Sequence, residues 1–143
     1  MPDVVFRSSS VRNLGRGQDF FKAGVDICCT NTLRANAVAQ KDYKTTKLVA
    51  EMNKAAAQLA KRAAADVTKQ DMKKPRFVAG LVGPCELRSS FDDMVEAYTE
   101  QIKGLAEGGA LPQERSACFE PRGSMFVGAL MTCVYVRTIC RFE

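Results

Sequence analysis

At 143 residues the chain has the length of a single domain, and its 46% apolar content is enough for a core. A net charge of +5 is what lysine-rich helix surfaces carry, and it calls for no nucleic-acid partner. With no histidine in the chain, neither a Ser/His/Asp triad nor a Cys/His pair can be assembled.

The opening Met1-Pro2-Asp3-Val4-Val5-Phe6-Arg7 holds no apolar signal core before a small-residue cleavage site. A disulfide framework needs a secretory context, so Cys28, Cys29, Cys85, Cys118, Cys133 and Cys140 are read as reduced thiols in the cytoplasm. Residues 7–17 are polar, basic and turn-rich, and are expected to form a loop or a disordered insertion. Gly15-Arg16-Gly17 is a weak phosphate-loop candidate, because no apolar strand precedes it.

Phe20, Phe21 and Ala23 lead to Gly24, which suits the end of a short helix. A strand is expected over Val25–Thr32. In a strand, adjacent Cys28 and Cys29 face opposite sides and cannot share a metal. Asp26, flanked by apolar residues, is read as bonding backbone amides at the strand start. Asp42-Tyr43 reads as a turn.

From Thr45 to about Val67 the pattern is helical, with Leu48, Met52, Ala55, Leu59 and Ala63 on one line. Lys69 to Lys74 is a charged connection ending at Pro75. It lacks the interleaved aromatics of a nucleic-acid patch and reads as a solvated loop. Phe77-Val78-Ala79-Gly80-Leu81-Val82 is apolar on both faces, as a covered strand of a parallel sheet must be. Ser90 and Asp93 form a capping pair for a helix that carries Phe91, Met94, Val95, Tyr98, Ile102 and Leu105 on one face. Gly108-Gly109 ends that helix.

A third strand is due at Ala110, but Leu111-Pro112-Gln113-Glu114 is expected not to make a central one. The tail 111–143 shows no period until Phe126–Ile139. The apolar run Met125–Val136 is too short for the roughly 20 residues that span a membrane.

Strand, helix, parallel strand is the unit of an α/β barrel, whose chemistry sits at strand C-termini. Such a barrel needs about 250 residues, so this chain is expected to be an incomplete (β/α)₈ barrel. Thr30, Asn31 and Thr32, with Gly83 and Pro84, are the candidate substrate-binding residues at that mouth. The competing reading makes them backbone-capping turn residues. Cys85 is a further candidate thiol at the mouth, although an idle cysteine is commoner. No catalytic residue and no metal ligand is assigned.

Ala23-Gly24-Val25-Asp26-Ile27, Thr30-Asn31-Thr32, Ala35-Asn36-Ala37-Val38-Ala39-Gln40 and Asp42-Tyr43 resemble the second strand and loop of a known domain. It is the homocysteine-binding domain of cobalamin-dependent methionine synthase. Glu51-Met52-Asn53, Lys74-Pro75-Arg76-Phe77-Val78-Ala79-Gly80 and Gly83-Pro84 resemble its next helix and third strand. Phe91-Asp92, Val95-Glu96-Ala97-Tyr98, and Gly104-Leu105 to Gly108-Gly109-Ala110 resemble the helix that follows, and Pro2-Asp3-Val4-Val5 an earlier one.

The resemblance implies methyl transfer to homocysteine to make methionine, on a zinc ion held by three cysteines of later strands. Cobalamin and methyltetrahydrofolate would belong to other modules of the parent enzyme, and those modules would be the partners. No nucleic acid or membrane is implied. Several family features are not matched: the Asp-Gly-Ala-Met-Gly first strand, the glutamate at the position of Cys29, a longer loop after Gly83-Pro84, and the Asn-Cys and Gly-Gly-Cys-Cys zinc ligands. The chain therefore divides into an irregular segment 1–18, a partial homocysteine-binding domain 19–110 and an unmatched tail 111–143. It is expected to be inactive alone. The alternative is a small non-enzymatic α/β binding module that pairs through its sheet edge.

Overall fold

The computed structural model describes residues 15–83 and 90–114, with backbone only for 111–114. Pro84, Cys85, Cys118, Cys133, Cys140 and the 126–139 stretch lie outside the described residues. In chain order the elements are helix α1 (residues 15–22), strand β1 (Ile27–Cys29), a 3-10 turn (Thr46–Leu48), helix α2 (Val49–Gln70), strand β2 (Phe77–Val82), helix α3 (Phe91–Glu107) and strand β3 (Leu111–Glu114). The strands form one parallel sheet in the order β1-β2-β3. The expected α/β class is what forms.

Two strand–helix–strand steps build this layer. Ile27 pairs with Phe77 and Cys29 with Ala79, while Ala79 pairs with Leu111 and Val82 with Glu114. Val78 and Val82 of β2 bury into a core with Ala57, Ala63, Ala64 and Val67 of α2, and Met94, Tyr98, Ile102 and Leu105 of α3. Phe21 of α1 joins the same cluster. The two long helices pack closely because the residues between them are small. A Cβ on Gly104 would lie 2.8 Å from the Ala50 carbonyl, and one on Gly108 would lie 2.6 Å from the Lys54 carbonyl.

The helix ends follow local chemistry. Val25 N–H bonds the Phe20 carbonyl and Gly24 N–H bonds that of Phe21, which closes α1 in a Schellman motif with Gly24 at φ 104°. Ala110, Leu105, Gly109 and Ala106 repeat the pattern at the end of α3, with Gly109 at φ 83°. Ser90 caps α3: its hydroxyl accepts from Asp93 N–H at 3.2 Å, and Asp93 reaches back to Ser90 N–H.

Six expectations are corrected. Residues 15–17 are helical rather than loop, so Gly15-Arg16-Gly17 does not form a strand-to-helix phosphate turn. The first strand spans three residues, not eight, since Thr30 onward turns over the sheet. The buried face of α2 is Val49, Asn53, Ala57, Ala64 and Val67 with Ala63, rotated from the expected line, and Leu48 is exposed. Among the described residues the Asp26 side chain bonds no amide; its carboxylate pairs with Arg76 at 2.9 Å and Lys74 at 3.3 Å, so Lys74 is not merely solvated. Leu111–Glu114 does form a strand, despite Pro112. Among the described residues β3 lies at the sheet edge, and an edge strand tolerates a residue without an N–H.

Candidate functional site

Because the strands are parallel, the C-terminal ends of β1 and β2 lie at the same end of the sheet. That brings Thr30, Asn31 and Thr32 beside Gly83, residues that are about fifty positions apart in the chain. The joint is made by side chains that continue the ladder. Thr30 N–H donates to the Ala79 carbonyl at 2.9 Å. Leu81 N–H donates to Thr30 Oγ1 at 2.9 Å, and Thr32 Oγ1 donates to the Leu81 carbonyl at 2.7 Å. The two hydroxyls are 2.6 Å apart. A threonine has one hydroxyl hydrogen. Thr32 spends its own on Leu81, so Thr30 donates to Thr32. The result is a closed circuit from the Leu81 amide through both hydroxyls to the Leu81 carbonyl.

Both threonines are buried, at 4% and 2% exposure. Their hydroxyls hold β1 against β2 just beyond the last backbone pair, Cys29 with Ala79. This is the capping reading of these side chains, realised across strands rather than within a turn. Asn31, between them, is exposed and lies on a groove of about 210 Å³ beside β1. Arg16, Phe20, Cys29 and Leu59 also line that groove.

Gly83 is fixed from both sides. Its N–H donates to the Leu33 carbonyl at 3.1 Å, and its carbonyl accepts from Tyr98 Oη at 3.0 Å. A Cβ there would meet the Leu33 carbonyl oxygen at 2.7 Å. Only a residue without a side chain lets the loop after β1 lie against the end of β2. Gln101 Nε2 completes the joint by donating to the Thr32 carbonyl at 2.7 Å.

Tyr98, Gln101, Leu33 and Leu81 were not singled out for the site from the sequence. The available signal was Gln101: a polar residue three positions from Tyr98, on a helical face otherwise apolar. Such a residue is buried only when something inside accepts from it.

A family model for homocysteine S-methyltransferase matches residues 7–110. The match includes β1, β2, α2, α3 and the joint just described. The chain belongs to the homocysteine S-methyltransferase family. Methyl transfer to homocysteine is thus the activity at the level of the family.

The zinc that the resemblance implies needs several thiolate or imidazole donors around one point. Cys28 is half-buried against the core, while Cys29 is exposed. Burial, with the neighbouring Cys29, pushes the Cys28 thiol above its ordinary range and keeps it protonated. Among the described residues no group of three His, Cys, Asp or Glu side chains is placed to hold a metal ion. The described residues therefore do not fit a zinc site. No described helix is long and apolar enough to cross a membrane.

Proposed function

We propose that residues 19–110 are part of a homocysteine-binding domain of the cobalamin-dependent methionine synthase type, and that these 143 residues alone do not transfer a methyl group. The observation that carries this reading is the joining of two strand C-termini, Thr30-Asn31-Thr32 and Gly83, within the segment that the family match covers. On this reading β1 and β2 are the second and third strands of a (β/α)₈ barrel, and their parallel pairing supports it.

The substrate is homocysteine, met at the mouth by Asn31 and Pro84, with Gly83 shaping the backbone there through its bonds to Leu33 and Tyr98. Thr30 and Thr32 serve the same mouth by holding its backbone, since their hydroxyl hydrogens are committed to protein acceptors. The zinc that would hold the homocysteine sulfur as thiolate belongs to later strands of the family, and cobalamin and methyltetrahydrofolate to other modules of such an enzyme. The setting is the cytoplasm, where thiols stay reduced.

The test is an amide NMR titration of the full chain with homocysteine, alongside an assay for methionine formed from methylcobalamin and homocysteine. Shifts centred on Asn31 and Gly83 with no methionine formed are the expected outcome. Absence of those shifts contradicts the binding assignment. Turnover contradicts the inactivity.

A further inference from the structure

Three buried side-chain amides hold the loop that follows β1, one from within it and two by bonding its carbonyls. Asn53 of α2 donates both Nδ2 hydrogens, to the carbonyls of Ala35 and Val49, each at 2.7 Å. Gln101 of α3 donates to the Thr32 carbonyl. Asn36 of the loop accepts the Ala39 N–H on its Oδ1 at 2.8 Å. All three residues are fully buried, at 0% exposure. Their neighbourhood is shared. The carbonyls they bond belong to the short span 32–36 or the start of α2, and Gly104, one turn beyond Gln101, sits where a Cβ would be 3.0 Å from that of Asn53.

Each amide keeps one buried atom without a partner among the described residues: Asn36 Nδ2, Asn53 Oδ1 and Gln101 Oε1. The bonds already made fix which atom each amide turns inward. The set left over is one donor and two acceptors. Buried polar groups of this kind are nearly always satisfied, by protein or by ordered water.

The geometry points to a single internal water bound by Asn36, Asn53 and Gln101. The donor and acceptor count selects the ligand. Water supplies two hydrogens for Asn53 Oδ1 and Gln101 Oε1, and a lone pair for the Asn36 N–H. An ammonium group offers only hydrogens and would oppose Asn36. A carboxylate offers only acceptors and would oppose Asn53 and Gln101. The water would tie the mouth loop to α2 and α3 at once, behind the Thr30–Thr32 circuit rather than within the groove at Asn31.

The test is a pair of water-selective NOE and ROE spectra of the ¹⁵N-labelled 143-residue chain, at mildly acidic pH where amide exchange is slow. The expected result is cross-peaks from the side-chain amides of Asn36 and Gln101 to water, of opposite sign in the two experiments, the signature of a long-held water. Missing cross-peaks overturn the proposal. So does a through-bond coupling from Asn36 Nδ2 to the Asn53 or Gln101 side-chain carbonyl, because the amides would then satisfy each other. A chain without dispersed amide signals also overturns it, since no buried site would exist. Asn36→Asp keeps the acceptor for Ala39 and removes the donor. In that variant the Gln101 cross-peak is expected to vanish while distant amides keep their shifts, and its persistence would mean that Asn36 does not hold the water.

Discussion

At the scale of single residues, the hydroxyl circuit separates structural from functional roles within one three-residue motif. Thr32→Val removes a buried donor and leaves both the Leu81 carbonyl and Thr30 Oγ1 short of a partner. It is expected to lower stability by about 1–3 kcal/mol in a urea unfolding titration. Asn31→Ala changes an exposed side chain and is expected to stay within about 0.5 kcal/mol of the parent. It should abolish the homocysteine-dependent shifts at the mouth. The cysteines divide in the same way. Exposed Cys29 is expected to be alkylated well before Cys28 at neutral pH, as peptide mapping by mass spectrometry would show, because burial keeps the Cys28 thiol protonated. The motif Thr30-Asn31-Thr32 is legible in the sequence as a strand end. Its partner is not: Leu81 lies 49 residues from Thr32, and the same residue types also cap simple turns.

At the scale of elements, α3 carries its boundaries in its own sequence. The Ser90–Asp93 box starts it and Gly109 stops it, both by bonds within a few residues. Ser90→Ala is expected to cost about 1 kcal/mol. Bonds from Ser90 hold the Asp93 carboxyl below the usual carboxylate range. A lowered folded-state value means that this stabilisation is present above the unfolded carboxylate range and is lost as pH falls through the folded value. The difference between parent and Ser90→Ala should therefore shrink in acid, which unfolding titrations across that range would show. Gly108→Ala forces a methyl group against the Lys54 carbonyl and is expected to destabilise by about 1–3 kcal/mol. Helix α2 was legible in extent but not in orientation. Its alanines recur on several lines, so apolar periodicity alone could not favour the face with Ala57 and Ala64 over that with Ala55 and Leu59. Asn53 sits on the buried line and looks polar, which masked it further. Strand β3 was missed because Pro112 and its polar neighbours oppose a central strand, whereas the position it takes is at the edge of the described sheet.

At the scale of the whole molecule, the parallel class and the helix–sheet layering were legible from two apolar strands flanking one long helix. The ion pairs of Asp26 with Arg76 and Lys74, and the contacts of Tyr98 and Gln101, were not, because they join positions that only the fold brings together. Among the described residues, β1 pairs on one side only, and Ile27 and Phe77 expose about half their surface. An unpaired edge of this kind invites association. Gel filtration is therefore expected to show self-association of the folded chain through that edge, whereas a monomer at all concentrations would favour a self-sufficient binding module. On the function proposed above, the chain holds part of a substrate-binding mouth, and among its described residues there is no cluster to hold the metal that would activate the substrate. Equilibrium dialysis of the full 143-residue chain against zinc, with homocysteine present, tests it most directly. No tight stoichiometric zinc uptake is expected, and one tightly bound zinc per chain would overturn that reading.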